Sequence, residues 1–220
     1  MKKKQKDLFL ESEGDAWFER NHMAIQERDF GRDDPIVQAV TTCLNSHAWK
    51  VDGVKLLEVG CGEGKRLQWM AENLGFKCCG VEPSEKAVAH ANTKVVKVVQ
   101  GTADQLDFES QTFDFVVFGF CLYLCDREDL FQIAREAHRV LKPNGWLVIH
   151  DFFAETPGFR EYHHLPGILS YKMDYRRLFD WHPDYACFSH VIGAHSANTY
   201  TDDQSEWVAT SIIRKKCQDE

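Results

Sequence analysis

The sequence predicts an α/β fold, a doubly wound and mostly parallel seven-stranded sheet with helices on both faces and an antiparallel pair of strands at its C-terminal edge. Between residues 55 and 152, short apolar or β-branched runs alternate with amphipathic stretches, which is typical of repeated βαβ units. The run over 113–120 is almost wholly apolar, as expected for a strand covered on both faces. Two later strand-like stretches are joined by a turn-rich segment over 197–205, short enough for antiparallel pairing.

The individual elements follow from hydrophobic spacing and from cap residues. We expect residues 1–10 to form a frayed tail and residues 14–28 to form a helix. Asp33, Asp34 and Pro35 predict the start of a second helix over 36–48, because an N-cap carboxylate followed by proline is a common helix start. Strands are predicted over 55–60, 77–81, 94–99, 113–120, 146–150, 186–195 and 207–215, and the other helices over about 65–74, 84–92, 126–141 and 171–179.

The composition restricts the classes of function. A net charge of −8 argues against duplex nucleic acid as the main partner, since phosphate contacts need a basic face. No run approaches the roughly 18 apolar residues of a membrane span, and no apolar segment follows the N-terminal lysines, so we expect neither a signal peptide nor a membrane partner. These lysines are interpreted as a solvated tail, with a nucleic-acid or membrane arm as the alternative. Eight cysteines without a CxxC pair predict thiols in a reducing cytoplasm.

Residues 56–64 read LLEVGCGEG, an apolar run that ends in three glycines, Gly60, Gly62 and Gly64. The pattern predicts a buried strand, a tight turn and a helix whose N-terminus faces the carboxyl end of the strand. Doubly wound sheets bind their ligands at these strand ends. Glu82 closes the second predicted strand about 20 residues after the first glycine, where a carboxylate can accept hydrogen bonds from both hydroxyls of a ribose.

Two ligand classes fit this arrangement, dinucleotides and S-adenosylmethionine. The dinucleotide pattern G-x-G-x-x-G/A requires a small residue at position 65, where this chain has lysine. Glu58 stands two residues before the first glycine. A carboxylate there is unfavourable beside a pyrophosphate but suits a ligand that carries an ammonium and a sulfonium group. The spacing therefore favours S-adenosylmethionine.

The stretch 56–64 resembles motif I of the class I S-adenosylmethionine-dependent methyltransferases, and further motifs follow in the order of that family. They are Glu82-Pro83-Ser84, the sequence GTADQL over 101–106, FDFVV over 113–117 and RVLKPNGW over 139–146. The resemblance covers about residues 54–152. It implies a Rossmann-like fold, S-adenosylmethionine as cofactor and S-adenosylhomocysteine as product.

The resemblance also implies roles for single residues along the methionine and ribose parts of the cofactor. The backbone of Gly60, Cys61 and Gly62 would line the methionine part, and Glu58 would orient the turn. Glu82 would hold the ribose hydroxyls. A surface carboxylate that caps the next helix is the alternative interpretation of Glu82.

At the adenine end, the resemblance implies that Asp104 accepts a hydrogen bond from the amino group and that Ala103 offers its backbone N–H to the ring. A plain turn aspartate is the alternative for Asp104. Phe120 and Cys121 would line the floor near the sulfonium. The same motifs place five further residues in the cofactor site: Gly64, Pro83, Ser84, Thr102 and Gln105.

The stretch 118–126 reads FGFCLYLCD and lacks the Asp/Asn-Pro-Pro-aromatic motif by which methyltransferases of base or glutamine amino groups resemble one another. It is similar instead to the small-molecule branch. A histidine is the usual base for an alcohol because it titrates near neutrality, although paired loop histidines can also be solvated or packed. We expect no metal, and a site that includes His150 is the alternative. The candidates for substrate contact or proton removal are Tyr123, Asp151, His163 and His164.

The N-terminal helix and the insertion over 153–185 carry the remaining candidates. Trp17, Arg20 and Asn21 suggest a lid, in which Trp17 stacks on the cofactor and Arg20 or Asn21 meets the methionine carboxylate. A helix that only packs its aromatic side chains on the sheet edge is the alternative. The aromatic side chains of the insertion form either a substrate pocket or a small separate core.

Together these observations predict a single methyltransferase domain over 1–220, with N-terminal helices over 1–50, a cofactor-binding core over 54–152, a substrate cap over 153–185 and C-terminal strands over 186–216. The predicted reaction is in-line methyl transfer to oxygen or nitrogen of a small or medium-sized metabolite, in the cytoplasm, by a monomer or homodimer. Three alternatives remain open: a cofactor-binding partner protein without catalysis, a protein or RNA methyltransferase, and a nucleotide-dependent oxidoreductase.

Overall fold

A computed structural model describes residues 3–28, 30–46, 53–91, 95–196 and 201–217. Its strands are β1 Lys55–Val59, β2 Lys77–Glu82, β3 Val96–Gln100, β4 Phe113–Gly119, β5 Leu141–Phe152, β6 Gly158–Glu161, β7 Leu169–Lys172, β8 Tyr185–Ala194 and β9 Trp207–Lys215. Seven of them form one sheet in the order β3-β2-β1-β4-β5-β9-β8. Strands β1 to β5 pair in parallel, whereas β9 runs antiparallel to both β5 and β8. The predicted fold class, including the antiparallel edge pair, is confirmed.

The register of the parallel strands brings the predicted site residues to one edge of the sheet. Val59, near the end of β1, is aligned with Val81 of β2 and with Phe118 of β4. The glycine turn, Glu82 and Phe120 therefore follow neighbouring strands at their carboxyl ends. Ligands of open α/β sheets bind at this edge.

The helices are α1 Gln5–Leu8, α2 Gly14–Glu27, α3 Pro35–Ser46, α4 Lys65–Leu74, α5 Glu85–His90 and α6 Leu130–Val140. The predicted caps are confirmed: Asp34 accepts hydrogen bonds from the backbone N–H groups of Ile36 and Val37, and Ser84 accepts one from Ala87. The predicted helix ends near residues 48 and 92 lie outside the described residues. Among the described residues, no helix has the length and apolar composition that crossing a bilayer requires.

The expectation of a frayed tail over residues 1–10 is wrong from Gln5 onward, where helix α1 begins. A π-helical turn, Phe9–Glu13, connects α1 to α2 without a break. Gln5 is buried; its backbone N–H donates to the Asp126 carboxylate at 2.8 Å, and its side chain donates to the Leu124 carbonyl at 2.8 Å. These partners lie about 120 positions away. Local hydrophobic spacing carries no information about such contacts.

Both faces of the parallel sheet are covered. Val116 and Phe118 of β4 belong to a core that includes α6, and Phe115 and Val117 belong to a second core with α3 and α4. All four side chains are fully buried. This arrangement explains the apolar run over residues 115–118 of β4.

The insertion over 153–185 contains a β-hairpin that sequence reasoning missed. Strand β6 pairs with β7 in antiparallel register, with Arg160 opposite Ser170. A single turn of 3₁₀-helix, Tyr175–Leu178, follows where a short helix was expected. Each hairpin strand has only four residues; β6 lacks the apolar–polar alternation that identifies a strand, and β7 shows it over too few residues to stand out.

Candidate active site

A cleft of about 610 Å³ lies at the carboxyl ends of the parallel strands. Helix α2 and the β6–β7 hairpin supply its other walls. The volume falls within the range of about 300–1,000 Å³ found for small-molecule and cofactor sites. It brings together fifteen of the predicted site residues: Trp17, Asn21, Gly60, Cys61, Gly62, Glu82, Pro83, Thr102, Ala103, Asp104, Phe120, Cys121, Tyr123, His163 and His164.

Gly60 makes close contact between the turns after β1 and β4 possible. Its φ is +74°, in the left-handed region, and its N–H donates to the Val81 carbonyl at 2.8 Å. A Cβ atom at this position would lie 2.5 Å from Cβ of Cys121. Any larger residue would therefore push the two turns apart and deform the floor of the cleft.

Glu82 is a buried carboxylate at the end of β2, only 8% exposed. Its Oε2 accepts a hydrogen bond from the Gly62 N–H at 2.9 Å, and its Oε1 accepts one from the Ser84 N–H at 3.1 Å. Burial raises the pKa of Glu82 to about 7, although both hydrogen bonds favour the ionised form. The two bonds leave lone pairs on both oxygens that can accept from a diol, which is the hydrogen-bonding pattern of a ribose.

At the other end of the cleft, Asp104 forms an ion pair with Lys6 and accepts a hydrogen bond from the Thr102 hydroxyl at 2.7 Å. Burial works against the ionised form, but Lys6 and Thr102 together lower the pKa of Asp104. Lys6 also lines the cleft and was missed, since it falls within the expected tail. Its ion pair couples the first helix to the candidate adenine site.

Six predicted site residues do not line the cleft: Arg20, Glu58, Gly64, Ser84, Gln105 and Asp151. Gly64 takes a φ of +74° immediately before α4, and Ser84 caps α5. Gln105 closes the turn after β3 by donating its backbone N–H to the Thr102 carbonyl at 3.3 Å. These residues shape the backbone behind the cleft wall.

Glu58 belongs to a buried ion-pair network with Arg66 and Asp34. Arg66 contacts Glu58 through one terminal amino group and Asp34 through Nε at 3.0 Å. Burial raises the pKa of Glu58, while the Arg66 guanidinium opposes that shift. Glu58 also lies against Gly119, where a Cβ would be 2.9 Å from its Oε1. The motif I carboxylate thus supports the cleft wall from behind.

Asp151 supports the turn after β4. It is 2% exposed and accepts hydrogen bonds from the backbone N–H groups of Cys121, Leu122 and Phe152 at 3.1, 2.8 and 2.8 Å. Burial raises its pKa to about 7. Since all three donors belong to the cleft floor or its continuation, Asp151 positions the floor. Tyr123, one turn further on, does line the cleft, and burial raises its pKa, so its phenol stays protonated.

Helix α2 crosses the cleft with one face turned toward it. Trp17, Asn21, Ala24 and Ile25 line the cleft at the spacing of one helical face, and Arg28, which follows the helix in extended conformation, lines it as well. Trp17 and Asn21 of the predicted lid thus lie at the cleft, and the role of the helix as a lid stays a prediction.

Arg20 does not line the cleft, because its guanidinium ion-pairs with Glu13 and donates to the Tyr162 hydroxyl at 3.1 Å. Arg28, two turns further along, reaches the cleft instead. A terminal amino group of Arg28 lies 3.4 Å from the Asp34 carboxylate, which is a long contact. Burial lowers the pKa of Arg28. A partly desolvated guanidinium with a weak partner can bind a ligand carboxylate.

The region near the turn after β4 is aromatic. Phe120 has a φ of +54°, which is strained for a side chain with a Cβ, and its N–H donates to the His150 carbonyl at 2.8 Å. Its ring contacts those of Phe152 and His195, with centroids 5.3 and 5.4 Å apart. Phe152 and His195 line the cleft, and neither was predicted, although both close a strand at this edge.

The insertion contributes to both the cleft and the core. Tyr162, Arg160 and Ser170 line the cleft, whereas Tyr175 is buried in the core that includes α6. His163 and His164 are exposed residues of the cleft rim. Among the described residues, no three His, Cys, Asp or Glu side chains are grouped as a metal site requires.

Residues 57–149 match the family model described as a methyltransferase domain. Demethylmenaquinone methyltransferase of Lysinibacillus sphaericus is 32% identical over 117 residues, covering 50% of this chain and 49% of the relative. Its counterpart in Listeria welshimeri is 34% identical over 119 residues, covering 50% of each. The chain thus spans about half the length of the curated relatives it matches.

Solved structures share the fold over almost the whole chain. The 1,6-didemethyltoxoflavin-N1-methyltransferase of Burkholderia thailandensis, with bound 1,6-didemethyltoxoflavin and S-adenosylhomocysteine, is 14% identical and covers 99% of this chain and 92% of its own, with a TM-score of 0.72. The methyltransferase bound to the Trm112 methyltransferase activator of Haloferax volcanii is 17% identical, covering 96% and 99%, with a TM-score of 0.68. The sheet order and the strand-end cleft define a Rossmann-like methyltransferase fold. Over residues 57–149, the chain is similar to a class I S-adenosylmethionine-dependent methyltransferase domain.

Proposed function

We propose that this chain transfers a methyl group from S-adenosylmethionine to oxygen or nitrogen of a small or medium-sized metabolite. The observation that carries the proposal is the buried carboxylate of Glu82, held by Gly62 and Ser84 at the end of β2. A dinucleotide would bring a pyrophosphate to the same glycine turn. The third small residue of that pattern is replaced by Lys65, whose amino group donates to the Gln26 side chain at 2.6 Å.

The residues of the cleft fit S-adenosylmethionine, whose sulfonium supplies an activated methyl group. Glu82 offers acceptors for the ribose hydroxyls, and Ala103 and Asp104 line the end where an adenine would lie. The glycine turn leaves the backbone open to the methionine part. Arg28 is the cation that we assign to the methionine carboxylate, in place of Arg20.

The elements that bound the cleft support a small acceptor. Helix α2 and the β6–β7 hairpin both reach over the strand ends, so the space beyond the cofactor is bounded by Tyr162, Phe152 and His195. The relatives' names, demethylmenaquinone methyltransferase and 1,6-didemethyltoxoflavin-N1-methyltransferase, denote small-molecule acceptors.

Proton removal from the acceptor has several candidate groups. Burial lowers the pKa of His195, so this ring is neutral at pH 7 and can accept a proton. We add it to His163 and His164, which lie on the rim of the cleft. Tyr123 stays protonated and is suited to donate a hydrogen bond to the acceptor. Asp151 acts as a positioning residue, because its oxygens are used by the backbone of the turn.

The organisation of the chain as a single domain, its monomeric or homodimeric state and its cytoplasmic location are also proposals. Six cysteines are free thiols, as expected in a reducing compartment: Cys61, Cys78, Cys79, Cys121, Cys125 and Cys187.

The test of the reaction is formation of S-adenosylhomocysteine and of a methylated product when the chain is incubated with isotopically methyl-labelled S-adenosylmethionine and a library of small metabolites. Mass spectrometry should detect label in at least one metabolite, and Glu82→Ala should abolish it at low cofactor concentration. Tight cofactor binding without transfer to any metabolite would support the non-catalytic partner protein instead.

A further inference from the structure

The β6–β7 hairpin turns a polar face toward the cleft. Arg160 lies opposite Ser170, and Lys172 is two residues further along β7, so the three side chains share one face. Arg160 and Ser170 line the cleft. The Lys172 ammonium lies 4.5 Å from the centre of the Phe152 ring, which lines the cleft as well.

Arg160 is an exposed residue whose guanidinium makes one hydrogen bond, through Nε. Its Nε donates to the Ser170 hydroxyl at 3.3 Å, and Ser170 is 6% exposed. Within the described ranges, the two terminal amino groups of Arg160 have neither a hydrogen-bond acceptor nor a carboxylate partner. A guanidinium oriented through Nε presents a planar pair of donors that matches two oxygens of an anion.

A second cation lies close to the first. Lys172 donates to the Ser205 carbonyl, and its pKa is lowered first by burial and then by Arg160. The carboxylates within electrostatic reach, Asp203 and Glu206, do not line the cleft, and Asp203 accepts a hydrogen bond from the Ser205 N–H at 2.9 Å. Two neighbouring cations repel each other, and an anion between them would relieve that repulsion. The feature is local, because the whole chain carries a net charge of −8.

Flat apolar surfaces border this basic face. The rings of Phe120, Phe152 and His195 contact one another in pairs, with centroids 5.0 to 5.4 Å apart. Rings so arranged offer faces and edges on which another ring can pack. At the adenine end of the cleft, Lys6 is already ion-paired with Asp104. Arg160 keeps two terminal amino groups that can bind an anion at the hairpin.

We propose that the methyl acceptor is a flat, ring-containing molecule with an oxyanion substituent, which Arg160 and Lys172 bind while its ring packs among Phe120, Phe152 and His195. This inference rests on the proposed methyltransferase function and adds to it the chemical class of the acceptor. A carboxylate and a phosphate monoester share the required chemistry, since both present two oxygens to the guanidinium.

The experiment is calorimetric titration of the full chain, saturated with S-adenosylhomocysteine, with three probes: 2-naphthoate, 2-naphthyl phosphate and the neutral 2-naphthamide. At least one oxyanion should bind about tenfold or more tightly than the amide, as expected for a charge-assisted bidentate contact. The ratio of the two oxyanion affinities distinguishes a carboxylate from a phosphate acceptor.

Variants assign the effect to the hairpin. Arg160→Gln and Lys172→Gln should each weaken oxyanion binding by roughly 5- to 20-fold and change the amide affinity by less than about twofold. Arg135→Gln is the matched control, because it removes the same charge from an exposed position of α6 that does not line the cleft. The S-adenosylhomocysteine affinity of each variant reports whether it is folded.

The outcomes separate the two proposals. Failure of the unmodified chain to bind S-adenosylhomocysteine would overturn the methyltransferase function. If the chain binds S-adenosylhomocysteine, three results would overturn the anionic acceptor while the cofactor assignment stands. They are equal or tighter binding of the amide, no effect of Arg160→Gln on oxyanion binding, and no binding of any probe at millimolar concentration.

Discussion

Asp15 of helix α2 accepts a hydrogen bond from the Ser84 hydroxyl at 2.7 Å, and Ser84 follows Glu82 by two residues. The same Asp15 oxygen accepts from the Lys86 N–H at 3.0 Å, so a residue of the crossing helix caps helix α5. At its other end, α2 is attached through Gln26, which donates to Glu63 at 2.9 Å. Helix α2 is thus fixed at both ends to the turns that would hold the cofactor, and its position should depend on these contacts.

Gly14 allows the close approach of α2 to α5. A Cβ at this position would lie 2.6 Å from the Phe9 carbonyl oxygen and 3.1 Å from the Ser84 nitrogen. Gly14→Ala should therefore destabilise the protein by about 1–3 kcal/mol through overcrowding, and it should weaken S-adenosylhomocysteine binding. Helix propensity alone predicts the opposite sign, a gain of up to about 1 kcal/mol.

Urea unfolding and calorimetry check the Gly14 prediction. Gly193→Ala is the matched control, because a Cβ there meets no atom within 4 Å. A stabilised Gly14→Ala variant with normal affinity would show that the helix does not depend on this approach.

Glu82 should make cofactor binding dependent on pH. The ribose hydroxyls donate to the ionised carboxylate, and burial raises the pKa of this group in the free protein to about 7. A ligand that prefers the ionised form lowers that pKa, so affinity should be highest above pH 7 and should fall as the pH drops from 8 to 6, by at most about tenfold per unit.

Glu82→Gln removes the titrating group and should flatten this profile while lowering affinity at pH 8 by about 1–3 kcal/mol. Asp151 titrates in the same range and is unchanged in this variant. The comparison therefore isolates the contribution of Glu82 to the pH dependence of affinity. If Glu82→Gln keeps the full pH dependence, another group causes it.

Arg28 should recognise the amino-acid end of the cofactor. We expect Arg28→Met to weaken S-adenosylhomocysteine binding by roughly 10- to 100-fold, the loss of a charge-assisted hydrogen bond. Binding of 5′-methylthioadenosine, which lacks the amino acid, should change by less than about twofold. Arg20→Met is the companion variant, since Arg20 pairs with Glu13 outside the cleft, and it should not discriminate between the two ligands. Equal weakening of both ligands by Arg28→Met would point to a general loosening of α2.

Arg66 should be required for folding. It neutralises two carboxylates, Asp34 and Glu58, both fully or almost fully buried. Arg66→Met would leave them without their main counter-charge and should cost about 3–5 kcal/mol of unfolding free energy. Adding Glu58→Gln to that variant should restore part of the loss, because one uncompensated charge is removed. A loss below about 1 kcal/mol in urea unfolding would mean that water reaches the carboxylates.

Local pattern predicts the parallel core well. Strand β4 is apolar over residues 115–118 because Val116 and Val117 face two different cores, and the glycine spacing reports the backbone turn after β1 directly. The lining face of α2 could also have been derived, since Trp17, Asn21 and Ala24 recur at helical spacing. Arg20, three positions from Trp17, is excluded from the cleft because Glu13 and Tyr162 bind its guanidinium.

Contacts between distant segments are not encoded in local pattern. Lys6 and Asp104 are 98 positions apart, and the sequence around neither residue predicts their ion pair. The β6–β7 hairpin is likewise stabilised from outside, since the Leu169 N–H donates to the Gln5 side chain at 2.6 Å. The acceptor end of the cleft consists largely of such segments, which explains why the sequence predicts the cofactor more completely than the acceptor.

Calorimetric titration of the unmodified chain with S-adenosylhomocysteine and, separately, with NADH tests whether the cleft binds S-adenosylmethionine. We expect saturable binding of S-adenosylhomocysteine, weakened by roughly 5- to 150-fold in Glu82→Ala, and no measurable binding of NADH. Binding of NADH alone, or an S-adenosylhomocysteine affinity unchanged by Glu82→Ala, would contradict the assignment of the cleft to S-adenosylmethionine.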